Sequence, residues 1–600
     1  MQPPQPHNST KSLVPIIAAS TVGALFEFYD FYIFGSLATI ISTKFFPTGN
    51  PTAAFLATLA TFAAGMLIRP FGALFFGRLG DLIGRKYTFM VTIVLMGGAT
   101  FAIGLIPAYQ TIGFWAPIIV LTLRLLQGLA IGGEFGGAAT FVAEHSPVNK
   151  RGFLTSWITF TGGFGVAVAF GVIMGTKNSM SIASWESWGW RIPFLLSSVL
   201  VVVSVIIRKN MSESPLFAKA KAEGQTSSNP LKDSFGNKEN LKVVLLAIFG
   251  LTLGIGVVGY SSTFFLQSFL VKFMFVDYDQ ANRLLITGLT FGVPLYIFFG
   301  WLSDRVGKKP ILMMSLFLGI VGFRPVFDQI YQTVDLQKKV ENKSAMTVDV
   351  KQQSLPNKEQ LTITTTQHFY ADGTLLTEVK RQTPRIINPD ISKVIKISPP
   401  DERKLVFLVF LLVIIVAMAH GASAAYLVEM FPLKIRYTSM SLPYHIGFGI
   451  FGGMAPVISA YLIAKAKEDH NPDYYLAGLN YAIILMSISL VIGILYLKEN
   501  NGEQTAPIKN PAKKNRLKRI LGFVWILLGL IFAYLGIVEL GLPKIVSDKP
   551  DDLIFGVIVM FIVTPIITIG LFTFGKYALE GEYDDKAGLI SPQKNKHVPV

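Results

Sequence analysis

Two acidic side chains lie inside the first long apolar stretch of the sequence, which covers residues 13–42. Glu27 and Asp30 are three positions apart, so a helix would place both carboxylates on one face. Two carboxylates this close in a low-dielectric environment should not both be fully ionised, and one of them would hold a proton. The spacing therefore favours a proton carrier. The alternative is that one of the two acids pairs permanently with an arginine as a structural contact.

A second polar group lies in a later apolar stretch, residues 115–142. Arg124 and Gln127 share one helical face, and a buried guanidinium group offers two parallel N–H donors to a carboxylate. Arg124 could therefore bind an anionic substrate or pair with an acid of the first stretch, and the sequence leaves both alternatives open. Glu134 would point about 80° away from Arg124, toward a neighbouring helix. It is a third candidate for proton coupling.

The candidate substrate-binding residues are polar side chains inside apolar stretches: Tyr29, Arg124, Gln127, Tyr260 and Gln267. His420 and His445 also lie inside such stretches. Histidine titrates near neutrality, but we favour a packing role for both over proton coupling. The sequence contains no cysteine, no metal-ligand spacing, no phosphate-binding loop and no nucleophile arrangement. We therefore expect no metal, no cofactor and no enzymatic activity.

The elements that must position these residues are membrane-spanning helices. The chain is 51% apolar and only 15% charged, whereas soluble domains are about 25% charged. Backbone groups in lipid must bond within their own segment, so apolar stretches of roughly 20 residues are predicted to be helices. The net charge of +16 indicates basic cytoplasmic loops, not nucleic-acid binding. We count fourteen spans: 13–42, 52–76, 88–107, 115–142, 153–175, 190–208, 243–273, 281–301, 311–325, 404–428, 438–465, 476–497, 520–541 and 553–575.

These spans and the polar segments between them predict the domain organisation. The parts are an N-terminal six-helix bundle (1–209), a cytoplasmic linker (210–241), a C-terminal six-helix bundle (242–325 and 404–498), an extracytoplasmic polar insert (326–403), an additional two-helix hairpin (519–576) and a cytoplasmic tail (577–600). Basic loop residues place both termini in the cytoplasm. Within the insert, Ala371-Asp372-Gly373 separates two β-rich runs and predicts a hairpin.

Two loop motifs occur twice, each after corresponding spans of the two halves. Gly77-Arg-Leu-Gly-Asp81-Leu-Ile-Gly84-Arg85-Lys86 is matched by Gly300-Trp-Leu-Ser-Asp304-Arg-Val-Gly307-Lys308-Lys309. A Glu-x-x-Pro-x-x-x-Arg motif joins Glu144 to Arg151 and, in the second half, Glu429 to Arg436. Such a repeat predicts two parallel halves of a transporter. We interpret the motifs as a cytoplasmic gating latch formed by Gly77, Asp81, Gly84, Arg85, Lys86, Glu144, Arg151, Gly300, Asp304, Gly307, Lys308, Lys309, Glu429 and Arg436.

The repeated loop resembles the signature of the major facilitator superfamily. Four further segments resemble its metabolite:proton symporter family, which contains proline/betaine, α-ketoglutarate, citrate and shikimate transporters. They are Phe26-Glu27-Phe28-Tyr29-Asp30-Phe31, Arg124-Leu-Leu-Gln127-Gly128…Gly132-Gly133-Glu134, Trp190-Arg191-Ile192-Pro193-Phe194 and Glu213-Ser-Pro215-Leu-Phe217. The resemblance covers about 1–325 and 404–498. Leu82 stands where a basic residue is usual, and the tail lacks the heptads of an osmosensory coiled coil, which weakens the proline/betaine option.

We therefore expect an all-α polytopic membrane protein with the major facilitator fold of two six-helix bundles and two extra C-terminal helices. The resemblance implies a secondary active transporter, with proton-coupled symport of a small organic acid or zwitterion by alternating access. Two alternatives stay open: proton-antiport efflux, and a transporter-like receptor or sensor that binds its ligand with the 326–403 insert. The expected partners are a small-molecule substrate, protons and the lipid bilayer of the inner (plasma) membrane. We expect a monomer that binds no nucleic acid.

Overall fold

The computed structural model describes residues 13–46, 58, 61, 64–209, 211–354, 360–383, 390–499, 516–546, 556–557, 559–581 and 583. Within these residues the chain forms fourteen long helical segments, which we label α1 to α14 in chain order. Their bounds are Val14–Ser36, Arg69–Leu82, Arg85–Leu105, Trp115–His145, Val148–Asn178, Gly189–Lys209, Lys238–Phe273, Tyr278–Val306, Lys308–Val334, Pro399–Met430, Leu433–Glu468, Tyr474–Tyr496, Leu517–Ile545 and Val559–Leu579. All except α2 are long and apolar enough to cross a membrane. The predicted span 52–76 lies partly outside the described residues.

The predicted insert limits, 326 and 403, both fall inside helices. Helix α9 continues to Val334, although Pro325 lies inside it, because its apolar face continues through Phe327 and Ile330, which are fully buried. Helix α10 begins at Pro399, and proline is well accommodated in the first turn of a helix. The polar segment between α9 and α10 is therefore 335–398. The predicted linker 210–241 likewise contains a short helix, Pro215–Ala222, and the first turn of α7.

The polar segment forms a four-stranded antiparallel sheet in the order β1-β2-β3-β4. Its strands are Thr347–Ser354 (β1), Gln360–Phe369 (β2), Leu375–Gln382 (β3) and Asp390–Lys396 (β4). The predicted hairpin is confirmed: β2 and β3 pair around the turn at Gly373, whose φ of 90° suits glycine. We call the side of the bundle that carries this sheet the insert face.

Strand β4 attaches the sheet to the turn between α7 and α8. The amide of Asp277 donates to the carbonyl of Ile395 at 2.9 Å, and the amide of Ile395 donates to the carbonyl of Phe275 at 2.7 Å. The Gln280 side chain accepts from the amide of Ile397 at 2.7 Å and donates to its carbonyl at 2.9 Å. The sheet is thus fixed to the second half through backbone hydrogen bonds.

Lys339 holds the base of the sheet by pairing with Asp372 and Asp401. Burial disfavours the charge of Asp372, but hydrogen bonds from Lys339 and from the backbone amide and hydroxyl of Thr374 outweigh it and lower the pKa of Asp372 to about 2. The carboxylate is therefore ionised at neutral pH.

The last two helices pack on the second half of the bundle. The Tyr496 hydroxyl of α12 donates to the carbonyl of Lys518 at 2.9 Å and accepts from Trp525 Nε1 of α13 at 3.3 Å. Lys238, at the start of α7, pairs with Glu580 after α14 at 3.0 Å. The α13–α14 hairpin is consequently part of the same packed unit as α7 and α12. Of the predicted tail 577–600, residues 584–600 lie outside the described residues.

Candidate functional site

A central cavity of about 110 Å³ lies between the two halves. Its described lining comes from α1, α2, α4 and α5 of the first half and from α7, α8, α10 and α11 of the second. The wall is rich in aromatic side chains: Phe28, Phe31, Tyr32, Phe135, Tyr260, Phe264, Tyr296, Tyr444 and Phe448. Two of the second-half helices contain π-helical turns beside the cavity, Ser261–Phe265 in α7 and His445–Gly452 in α11. Such turns occur frequently at functional sites.

One opposite-charge pair faces this cavity. Glu27 of α1 and Arg69 of α2 both line it, and Arg69 Nη1 lies 3.6 Å from Glu27 Oε1. Their side chains are 7% and 10% exposed. Arg69 can occupy this position because α2 runs close against α4: a Cβ on Gly132 would lie 2.6 Å from the backbone nitrogen of Ala73. Among the described residues, the cavity wall therefore offers one carboxyl group and one guanidinium group.

Arg69 is absent from the residues that the sequence analysis selected. The signal was nonetheless present, because Arg69 lies inside the predicted span 52–76 and an ionisable side chain in a span is a functional candidate by default. The selection instead centred on Arg124, whose surroundings are different.

Asp30 and Arg124 form a buried network that does not line the central cavity. Arg124 Nη1 lies 3.3 Å from Asp30 Oδ2. Asp30 Oδ1 accepts from the Thr100 hydroxyl at 2.7 Å and from Gln127 Nε2 at 2.8 Å. The structure thus places Arg124 and Gln127 against Asp30 of α1. Neither residue lines the central cavity, where we expected them to bind substrate.

The reason lies in the rotation of α1. Three residues turn a helix by about 300°, so Glu27 and Asp30 point about 60° apart. Glu27 faces α2 and the cavity, whereas Asp30 faces Thr100 of α3 and Arg124 of α4. Each acid has its own arginine. The two acids therefore do not share one partner, although they lie within one turn of the same helix, and the protonation of one of them stays a prediction.

Glu134 and Tyr29 also lie away from the cavity wall. Glu134 pairs with Arg208 of α6 and accepts from the Thr92 hydroxyl at 2.7 Å. Its predicted orientation toward a neighbouring helix is confirmed, and Arg208 is a partner that the sequence analysis missed. The Tyr29 hydroxyl donates to the carbonyl of Pro193 at 2.8 Å, which makes it a contact between α1 and α6.

The second-half candidates divide between two places. Tyr260 lines the central cavity, as do His420 and His445, for which we had favoured packing roles. His420 Nδ1 lies 2.9 Å from the carbonyl of Val416, and His445 Nε2 is buried without a partner among the described residues. Gln267 lies outside the central cavity and bonds Asn282 of α8.

The repeated aspartates close the opposite end of the bundle, which we call the motif face. Asp81 Oδ2 accepts from the backbone amide of Thr438 at 2.9 Å and from its hydroxyl at 2.7 Å. Thr438 lies in the first turn of a helix that begins at Arg436, so a carboxylate of the first half caps a helix of the second. A Cβ on Gly77 would lie 2.8 Å from Thr438 Cα, so this contact requires glycine.

The second half repeats this contact in the opposite direction. Asp304 accepts from the backbone amides of Gly152 at 2.7 Å and Phe153 at 2.8 Å, in the first turn of α5. A Cβ on Gly300 would lie 2.7 Å from the carbonyl of Gly152. The aspartates therefore bond backbone N–H groups across the halves, and in the described part of the chain their ion pairs are with Arg85 and Lys308 of their own halves.

The ion pairs that cross between the halves are made by the repeated glutamates. Glu144 lies 3.4 Å from Arg85 Nε of its own half and 3.3 Å from Arg436 Nη1 of the other. Glu429 lies 3.2 Å from Lys308 and 3.6 Å from Arg151, again one partner from each half. Both sets of ion pairs join the two halves at the motif face.

Two further glutamates complete the pseudo-symmetric arrangement. Glu213 accepts from the amides of Arg85 and Lys86 at the start of α3. Glu499, which the sequence analysis missed, accepts from the amides of Lys308 and Lys309 at the start of α9, at 2.7 and 2.8 Å. The preceding Gly84 and Gly307 have φ of 134° and 97°, which favour glycine at both turns.

Two family models match parts of this chain. The model described as "Sugar (and other) transporter" matches residues 16–243, and one described as "Family of unknown function (DUF6814)" matches residues 514–585, which include the α13–α14 hairpin. The solved proton:xylose symporter XylE, a major facilitator superfamily protein, has a similar fold. Its complex with 6-bromo-6-deoxy-D-glucose superposes with a TM-score of 0.57 at 15% identity and covers 82% of this chain and 98% of its own.

Curated relatives match most of the chain. A glycine betaine/proline/ectoine/pipecolic acid transporter of Dickeya dadantii is 30% identical, over 80% of this chain and 83% of its own length. A proline/betaine transporter of Salmonella typhimurium is 29% identical, over 84% of this chain and 88% of its own length. A shikimate transporter of Escherichia coli is 34% identical over 51% of this chain.

Two six-helix halves, a central cavity between them and ion pairs that join them at one face are typical of a multi-pass secondary transporter. The chain belongs to the major facilitator superfamily, in its metabolite:proton symporter family. The fold and family predicted from the sequence are confirmed.

Proposed function

We propose that this protein is a proton-coupled symporter that takes up a small zwitterion bearing one carboxylate and one cationic nitrogen. The observation that carries the proposal is the Glu27–Arg69 pair on the wall of the central cavity. A wall with one anion and one cation matches a ligand with one charge of each sign. A di- or tricarboxylate would leave surplus negative charge in a low-dielectric cavity, which is costly.

The two ends of such a ligand have distinct partners. The guanidinium of Arg69 can hold a carboxylate with two parallel hydrogen bonds, and its Nε is buried without a partner among the described residues. The cationic nitrogen can lie against Glu27 and the aromatic faces, which attract ammonium and quaternary ammonium groups. The relatives named for proline, betaine and ectoine transport these zwitterions, which supports the same class for this chain.

Asp30 is our proposed carrier of the coupled proton. When ionised, it attracts Arg124 and accepts hydrogen bonds from Thr100 and Gln127, so it joins α1 to α3 and α4. Protonation neutralises the Asp30 carboxylate and weakens its attraction for Arg124, which loosens the contacts of α1 with α3 and α4. Because Glu27 lies one helical turn away and faces the cavity, a change in α1 alters the substrate site directly. This linkage would couple the proton to the substrate.

The latches are our proposed gate on the cytoplasmic side. Both described ends of the chain reach the motif face, since Ile16 packs near Met211 and Glu580 pairs with Lys238. The basic loop residues on this face favour a cytoplasmic orientation in the inner membrane. With both latches engaged, substrate would enter from the insert face, and breaking the latches would release it inside.

Counterflow in proteoliposomes tests the substrate class. Vesicles are preloaded with unlabelled glycine betaine, proline, shikimate or citrate, and exchange of the corresponding labelled compound is measured. We expect exchange of glycine betaine or proline and none of citrate. Exchange of citrate but of neither zwitterion would contradict the proposal, and no exchange of any compound would favour a receptor.

A further inference from the structure

A second chamber of about 170 Å³ lies next to the central cavity, toward the insert face. It is enclosed by the adjoining ends of α1, α5, α7 and α8. Phe31, Tyr32 and Phe264 line both spaces. The Phe264 ring packs edge-on against Phe31 at 5.4 Å and stacks on Tyr32 at 5.5 Å. These three aromatic rings, which we call the aromatic layer, therefore lie at the boundary between the central cavity and this chamber, which we call the insert-side chamber. Val166, Thr263 and Leu289 also line both spaces.

Two amide side chains supply hydrogen-bonding groups in the insert-side chamber. Gln267 of α7 donates through Nε2 to Asn282 Oδ1 of α8 at 2.6 Å. Asn282 is 6% exposed, and its Nδ2 is buried with no acceptor among the described residues. A buried donor without an acceptor costs about 1–3 kcal/mol. A ligand that brings an acceptor into this chamber would recover that cost.

The chemistry of the chamber differs from that of the central cavity. Its described lining contains no carboxylate and no basic side chain, and it consists of the amide pair, Ser36, Thr263 and apolar or aromatic residues. Neutral amide donors bind a carboxylate more weakly than a guanidinium does. The aromatic faces of Tyr32 and Phe264 can accept the cationic nitrogen of the same ligand. Such a site would hold a zwitterion and release it readily.

We propose that the insert-side chamber is a second, weaker binding site for the zwitterion, in which the amides of Asn282 and Gln267 hold its carboxylate before the aromatic layer opens. The proposal rests on the proposed function, because the ligand is the same zwitterion. It adds a site with its own residues. In this site Gln267, which lies outside the central cavity, would contact the ligand.

Equilibrium binding of labelled glycine betaine and labelled proline to the purified full chain tests the second site. At ligand concentrations below the raised central-site Kd of Arg69→Gln, we expect two saturable equivalents of ligand per protein in the wild type, one weak equivalent in Arg69→Gln, and none in Arg69→Gln/Asn282→Leu. Arg69→Gln/Thr287→Leu is the matched control, because Thr287 is an exposed polar residue of α8 that lies outside the chamber. This control should keep the weak equivalent. Gln267→Leu combined with Arg69→Gln should weaken it at least 5-fold.

The possible results separate the two proposals. One wild-type equivalent that Arg69→Gln abolishes would overturn the second site and leave the proposed function intact. If the weak equivalent survives both Asn282→Leu and Gln267→Leu, the second binding site lies elsewhere, and its assignment to the insert-side chamber is overturned. Absence of binding of both probes to a wild type that exchanges another substrate would overturn the zwitterion class and this site with it. Thermal unfolding of each double variant at the temperature of Arg69→Gln alone shows that the second substitution removed the weak equivalent without further loss of folding.

Discussion

Replacing Arg69 should weaken substrate binding more than any other single arginine change in the first half. Arg69 lies at the cavity wall, 3.6 Å from Glu27 and 10% exposed, so a ligand carboxylate would be its natural second partner. A hydrogen bond to a charged group contributes about 1.5–3 kcal/mol. At 1.4 kcal/mol per factor of ten, Arg69→Gln should raise Kd by roughly 12- to 140-fold.

Two companion variants separate binding from folding. Arg69→Gln leaves Glu27 without its partner, and an unpaired buried charge can destabilise the fold by about 3–5 kcal/mol. Glu27→Gln/Arg69→Gln removes both charges and should restore the thermal stability but not the affinity. Arg69→Lys keeps the charge and loses the planar fork, so its Kd should rise by less than that of Arg69→Gln.

Arg124→Lys is the control matched to Arg69→Lys, because Arg124 is also buried and paired with an α1 acid but does not line the cavity. Equilibrium binding of labelled glycine betaine to detergent-purified protein gives each Kd. Arg124→Lys should change Kd by less than about 3-fold. A rise of 12-fold or more in Arg124→Lys together with an unchanged Kd in Arg69→Gln would show that the carboxylate binds at Arg124, and it would refute this assignment.

Further predictions concern the proton carrier, the latch and the insert. Asp30→Asn mimics the protonated acid, so substrate exchange in proteoliposomes should partly survive while uphill uptake driven by a pH gradient disappears. Accumulation of substrate by this variant would show that Asp30 does not carry the coupled proton, and Glu27 would become the candidate. Asp81→Asn loses the charge that caps the α11 helix and should lower the transport rate while Kd stays within about 3-fold; a large change in Kd at normal rate would contradict the latch. Replacing 340–393 by a Gly/Ser linker keeps the contacts of Ile395 and should leave uptake active; an inserted but inactive product would favour a receptor or lid role. Because the pKa of Asp372 is depressed to about 2, its stabilisation is complete above the unfolded value of about 3.9 and is lost as the pH falls toward 2. Asp372→Asn should therefore speed hydrogen exchange in the sheet above about pH 4, with a difference that shrinks below it; a difference independent of pH would contradict the shift.

The fold could be predicted from the sequence because the motifs repeat after corresponding spans. Asp81 and Asp304 occupy equivalent places, and the structure shows them capping α11 and α5 in the same way. The hydropathy pattern located the helices, but it predicted that α9 ends at residue 325. An apolar face that continues past Pro325 carries the helix to Val334.

The site was less predictable, because hydropathy locates a span without fixing its rotation about its own axis. Spacing alone placed Glu27 and Asp30 on one face, yet the 60° between them is enough to direct one to the cavity and the other to α4. The same freedom made Arg124 appear to be the substrate residue and left Arg69 unselected. Pairing between distant spans, such as Glu134 with Arg208, depends on helix packing that no local pattern encodes.

The central claim is that a proton and a zwitterion cross the membrane in the same direction through the cavity at Glu27 and Arg69. It is tested most directly in proteoliposomes with a pH-sensitive dye inside, when glycine betaine or proline is added outside without an imposed gradient. The account predicts that substrate addition acidifies the vesicle interior in the wild type, and that the signal is absent in Asp30→Asn although exchange persists. Alkalinisation on substrate addition would mean antiport, and uptake without any pH change would mean an uncoupled carrier; either result would contradict the account.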